Sequence, residues 1–102
     1  MAAAIPISEL RKRAKIVVVD DDRDSFPTEG LQADGYTIEW WDRIDNARLN
    51  RLESGDFDII ILDIQGVAET SLSDTGDGLG VIRRIKTMNP QQVVVAFSGK
   101  TY

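Results

Sequence analysis

The residues best equipped for chemistry in this chain are acids placed directly after apolar runs. Asp20, Asp21 and Asp22 follow Ile16-Val17-Val18-Val19, Asp63 follows Ile59-Ile60-Ile61-Leu62, and Ser98 follows Val93-Val94-Val95-Ala96-Phe97. Carboxylates gathered within a few ångströms repel one another, so some stay protonated unless a cation sits among them. With oxygen donors and neither histidine nor cysteine in the chain, the cation that fits is Mg²⁺ (or Mn²⁺), which takes one or two carboxylates and leaves positions for phosphoryl oxygens. The chemistry implied is phosphoryl transfer, in which a carboxylate can itself be the nucleophile and form an aspartyl-phosphate. Asp63, alone at the end of its run, is the expected acceptor. Asp20 and Asp21 are expected beside it, and the Ser98 hydroxyl is placed to hydrogen-bond a phosphoryl oxygen. Asp22 and Asp24 are read as turn or helix-capping residues.

These residues can meet only if the elements carrying them run side by side. The three apolar runs are short, mostly β-branched and uninterrupted, which predicts central strands of a parallel sheet covered on both faces. Tyr36-Thr37-Ile38-Glu39-Trp40-Trp41 alternates partly, follows the turn signal Asp34-Gly35 and reads as an edge strand. Helical spacing appears in Asn46 to Glu53 through Leu49 and Leu52, and in Leu79 to Met88 through Leu79, Ile82, Ile85 and Met88, with Val81 alongside. Asp24 to Ala33 is a poorer helix, interrupted by Pro27 and Gly30, with Phe26 and Leu31 available to face the sheet. The order is strand, helix, strand, helix, strand, helix, strand. Right-handed crossovers make this an α/β fold with an open, doubly wound parallel sheet. Ligands in such sheets bind outside the carboxyl ends of the strands, where the acids lie.

Composition narrows the possibilities further. A chain of 102 residues with 42% hydrophobic and 28% charged residues is expected to fold as one domain. Residues 1–14 read as an N-terminal extension, a solvated arm in which Ser8 could cap a short turn before Arg11-Lys12-Arg13. Residues 15–102 form the domain. Twelve Lys+Arg against 17 Asp+Glu give a net charge of -5, which disfavours direct nucleic-acid binding. The lack of Cys and His excludes disulfides, thiolate zinc sites and histidine-based catalytic triads. No apolar run approaches the roughly 20 residues that span a bilayer, and the start lacks a secretory layout, so a cytoplasmic protein without membrane contact is expected.

At these residues the chain resembles the receiver domain of two-component response regulators. Lys15 to Asp22 (KIVVVDDD), Phe57 to Asp63 (FDIIILD), Asp77 to Lys86 (DGLGVIRRIK) and Val93 to Gly99 (VVVAFSG) look like that family's first strand, third strand, third helix and fourth strand, in order. The resemblance implies a flavodoxin-like fold in which Asp63 accepts a phosphoryl group from a histidine kinase or phosphotransfer protein, within a phosphorelay. It further implies that Asp20 and Asp21 organise Mg²⁺ together with Asp63, that Gln65 offers its backbone carbonyl to the metal, that Ser98 is the switch hydroxyl, and that Gly99 keeps the acceptor accessible. The chain departs from the family in the longer polar segment from Gln65 to Gly76. It also ends at Tyr102, where the family continues with a helix, a lysine-bearing strand and a last helix. Lys100, two residues past Ser98, does not stand in for that lysine. The expectation is a receiver fold lacking its last helix-strand-helix part, with the fourth-strand edge open to a dimer partner or a completing chain.

Two other readings compete. A haloacid-dehalogenase-like phosphatase would use Asp20 as nucleophile with Asp22 two residues on, although Arg23-Asp24 departs from that motif and Asp63 is left without a task. A receiver-like module that docks or dimerises without phosphorylation would keep the acidic rim unused. Gly99-Lys100-Thr101 is not a phosphate loop, because Val94 occupies the position that needs the first glycine.

Overall fold

The computed structural model describes residues 4–22, 27–64 and 78–97. Eight elements occur in the order α1 (Ile7–Arg13), β1 (Lys15–Val19), α2 (Thr28–Ala33), β2 (Thr37–Trp41), α3 (Asn46–Glu53), β3 (Ile59–Asp63), α4 (Gly78–Met88) and β4 (Val93–Phe97). All strand pairs are parallel and the spatial order is β2-β1-β3-β4. The sequence direction reverses between β1 and β3, which makes their carboxyl ends the topological switch point.

β1 and β3 occupy the middle of the sheet, and their β-branched side chains are buried on both faces. On one face Val17, Val19, Ile60 and Leu62 pack with Ile44, Leu49, Leu52, Phe57, Val81 and Ile85, so α3 and α4 cover this side. On the other face Ile16, Val18 and Ile61 pack with Tyr36, Ile38, Trp40, Ile59 and Phe97. α2 lies against β2. It starts after Pro27, which is tolerated there because the first helical amides have no intrahelical acceptor. α3 starts at Asp45, whose Oδ1 accepts the Arg48 amide at 2.8 Å, a cap that satisfies one of the free N-terminal donors.

Three sequence expectations need correction. The apolar run of β4 reads as a central strand covered on both faces, but β4 forms an edge of the described sheet, in line with the open fourth-strand edge that the resemblance implies, and its Val93 and Val95 remain 52% and 47% exposed. The buried stripe of α4 runs through Gly78, Val81 and Ile85, with Ile82 partly buried, whereas Leu79 and Met88 face outward. The same rotation buries Val81 and Ile85 and seats Gly78 against β3, as described below. Finally, the amino-terminal helix begins at Ile7 with Pro6 as its cap position, so Ser8 lies inside it and caps nothing. α1 buries none of its residues but is pinned to the domain by its last turn: Arg11 donates to the Asp34 carbonyl at 3.1 Å and stacks over Tyr36, and Thr37 donates to the Lys12 carbonyl.

Candidate functional site

Strand register brings the acids together. Val18 pairs with Ile61 and Val19 with Leu62, so one further step along the same ladder sets Asp20 opposite Asp63. Side chains alternate between faces, and both aspartates therefore leave the sheet on the side that carries Ile16, Val18 and Ile61. The carboxylates of Asp20, Asp21 and Asp63 each place an oxygen within 4.8 Å of the others. Asp20 and Asp63 are buried, at 0% and 3% exposure, while Asp21 is exposed on the rim.

The backbone around them is firmly held. The Asp20 amide donates to the Trp41 carbonyl at 2.9 Å, which extends the β1–β2 ladder to the acid itself, and the Ile64 amide donates to the Phe97 carbonyl at 2.9 Å on the opposite side. The Asp22 amide donates to Asp20 Oδ1 at 2.9 Å. Asp20 thus closes the turn after β1, and Asp22 serves by its backbone rather than as a helix cap, since α2 starts only at Thr28. Burial pushes the Asp20 carboxyl up to about 6, the Asp22 amide opposes this, and the charges of Asp63, Asp21 and Asp22 push it further up. A cation among these oxygens would relieve both the desolvation and the repulsion. The donor set, carboxylate oxygen throughout, suits a hard divalent ion of the Mg²⁺ class.

Sequence reasoning missed one contributor, Gly78. Its amide donates to the Ile64 carbonyl at 2.7 Å. A Cβ built on it would lie 3.1 Å from the Ile64 Cα, 3.1 Å from Leu62 Cδ2 and 3.3 Å from the Asp63 carbonyl oxygen. A glycine beginning a helix is a weak signal by itself, and its meaning depends on knowing which strand the helix meets. Gln65, Ser98, Gly99, Lys100 and Asp24, together with the segment from Gln65 to Gly76, lie outside the described residues. A cavity of about 160 Å³ opens toward the amino ends of the strands, lined by Lys15, Thr37, Glu39, Arg51, Asp56 and Phe57 among others, and so lies apart from the acids.

Four parallel strands in one doubly wound sheet, flanked by helices and carrying acids at the switch point, define a flavodoxin-like receiver fold. The chain is similar to a solved response regulator protein from Burkholderia pseudomallei, whose crystal structure contains a phosphorylated aspartic acid, a calcium ion and citrate. The likeness has a TM-score of 0.60 at 22% sequence identity, covers 86% of this chain and spans about half, 48%, of that one. No family model matches the chain, and no curated protein does. Among the described residues no helix is long and apolar enough to cross a membrane.

Proposed function

We propose that this is the phosphoacceptor receiver domain of a two-component response regulator, with Asp63 as the acceptor and Asp20, Asp21 and Asp63 as ligands to Mg²⁺ (or Mn²⁺). The observation that carries this reading is the convergence of three carboxylates within 4.8 Å at the switch point of the sheet. Support comes also from the similar response regulator, which holds a phosphorylated aspartic acid and a calcium ion. A carboxylate oxygen of Asp63 attacks phosphorus of a phosphohistidine on a histidine kinase or phosphotransfer protein. The new O–P bond forms as the P–N bond breaks, and the leaving imidazole keeps the bonding electron pair. A bound divalent ion supplies neutralisation of charge on the transferring group. Asp20, held by the Trp41 carbonyl and the Asp22 amide, orients its carboxylate toward that position. By the family resemblance, the Gln65 carbonyl completes the metal shell and Ser98 takes a phosphoryl oxygen. The β4 edge of the described sheet, flanked by the half-exposed Val93 and Val95, is where a second copy or another chain would pair. The domain is assigned to the cytoplasm, without nucleic acid or membrane as partner.

Incubation with acetyl phosphate and Mg²⁺, followed by intact mass and peptide mapping, tests the proposal. One phosphoryl group on Asp63, lost in Asp63→Asn and without the metal, is the expected result. Phosphate on Asp20 would transfer the reading to a haloacid-dehalogenase-like phosphatase, and no label on any aspartate would leave a docking module.

A further inference from the structure

We propose that Gly78 is a positioning residue for the Asp63 carboxylate, acting through the absence of its side chain. The inference rests on the reading of Asp63 as acceptor and metal ligand. α4 meets the sheet at its first residue. There the Gly78 amide grips the Ile64 carbonyl at 2.7 Å, and the space a side chain would fill is already bounded by the Ile64 Cα, the Asp63 carbonyl oxygen and Leu62. Two of these three neighbours are backbone atoms of the strand end that carries the acceptor.

That strand end has little freedom to retreat. Leu62 is fully buried, the Ile64 amide is tied to the Phe97 carbonyl, and β3 is paired on both sides. A methyl group at position 78 must therefore be accommodated by moving the Asp63–Ile64 backbone, by lifting the start of α4, or by both, over a few tenths of an ångström. The first movement alters the direction of the Asp63 carboxylate relative to Asp20 and Asp21, and the second loosens the Gly78–Ile64 hydrogen bond that ties this strand end to α4. Backbone conformation is not the reason for glycine here, because the positive-φ glycines among the described residues are Gly35 and Gly55.

Gly30 provides an internal control. It also lies in a helix, α2, also without positive φ, but a Cβ there would meet nothing within 4 Å. Alanine is a better helix former than glycine, so Gly30→Ala reports the effect of an added methyl group where there is open space, and Gly78→Ala its effect where the space is taken.

The test compares the parent chain with Gly78→Ala and Gly30→Ala. Measured are the melting temperature, Mg²⁺ affinity by calorimetry, the rate of Asp63 labelling by acetyl phosphate, and the amide resonances of Asp63 and Ile64. Gly78→Ala is expected to weaken Mg²⁺ binding and slow labelling about tenfold while its melting temperature stays near that of the parent. Gly30→Ala leaves affinity and rate unchanged. Parental affinity and rate in Gly78→Ala, or losses that merely follow a lowered melting temperature, would overturn the proposal. Should Gly78→Ala not fold, Gly78→Ala with Leu62→Val removes the side-chain part of the clash but keeps the backbone part, so the site defect should persist. If the parent neither binds Mg²⁺ nor accepts phosphate, the functional reading fails by itself. The amides then decide for Gly78: displaced Asp63 and Ile64 resonances support the positioning role, and unmoved ones refute it.

Discussion

At the carboxyl ends of β1 and β3, three carboxylates converge and burial pushes Asp20 up to about 6, whereas toward the amino ends Glu39 and Asp56 both meet Arg51. There the guanidinium donates to the two Glu39 oxygens at 3.0 Å each and to Asp56 at 3.1 Å. It also stacks over Trp41 and Phe57, which meet edge to face at 5.5 Å. The hydrogen bond from Arg51, joined by one from Trp41 Nε1 and opposed by burial, holds Glu39 below its ordinary value, and the two acids hold Arg51 above its own. Both regions are rich in charge, yet one joins acids to a guanidinium, and in the other burial and neighbouring acids push Asp20 toward its protonated form. An internally matched network contributes to the fold, whereas gathered like charges are expected where a ligand supplies the balance.

The sharpest way to break this contrast is to add a divalent cation. Mg²⁺ at about a hundredfold excess over its Kd should stabilise the chain by about 2.7 kcal/mol, by mass action on the folded state alone. Scanning calorimetry checks this: Asp21→Asn should weaken the response, and Arg51→Ala should leave it intact. A melting temperature indifferent to Mg²⁺ would remove the metal assignment.

Asp20→Asn should have the next largest effect, and in the absence of metal it should stabilise. The folded state keeps the Asp20 proton up to about pH 6, whereas the unfolded chain releases it near 3.8. Stability is therefore lost as pH rises between those values and stays low above them. Asparagine keeps the oxygen that accepts the Asp22 amide and removes the charge. At pH 7 the gain should be about 1–2 kcal/mol, discounted from the full shift because the rim is in reach of water. Glu39 has the opposite sign, since its lowered folded value adds stability above the unfolded 4.5 that disappears as pH falls. Melting curves across this range should lose the Asp20-dependent decline in Asp20→Asn, and a persisting decline would locate the titrating group elsewhere.

How much of this was open to sequence reading follows from the range of the interactions involved. Ile16 to Val19 and Ile59 to Leu62 announce central strands because burial on both faces demands uninterrupted β-branched residues, and the acids after them inherit a shared rim from topology. The pairing of Asp20 with Asp63 needed only two strands in parallel. By contrast, the rotation of α4 depends on how the whole helix packs on β3, so the exposure of Leu79 and Met88 could not be read from spacing. The edge position of β4 is not carried by Val93 to Phe97, whose run reads as a covered strand, and only the resemblance implies it. The turn after β1 is partly legible, because an aspartate there can accept the amide two residues on, although that Asp20 rather than a neighbouring acid does so depends on main-chain geometry.

Arg51→Ala should lower the melting temperature by less than Asp20→Asn raises it. The ion pairs it removes are half exposed and are screened by water, and part of the loss is contact with Trp41 and Phe57 rather than charge. Circular dichroism melts check the ranking.

The smallest effect distinguishes the two ends most directly. Added NaCl screens attraction and repulsion alike. It should destabilise the chain slightly through Glu39, Arg51 and Asp56, and stabilise it slightly by relieving the carboxylates at the rim. In the parent these contributions oppose each other. Arg51→Ala removes the attractive one, so its melting temperature should rise with salt; Asp20→Asn removes much of the repulsive one, so its melting temperature should fall. Equal salt slopes in the two variants would mean that the ends do not differ in the way their geometry requires.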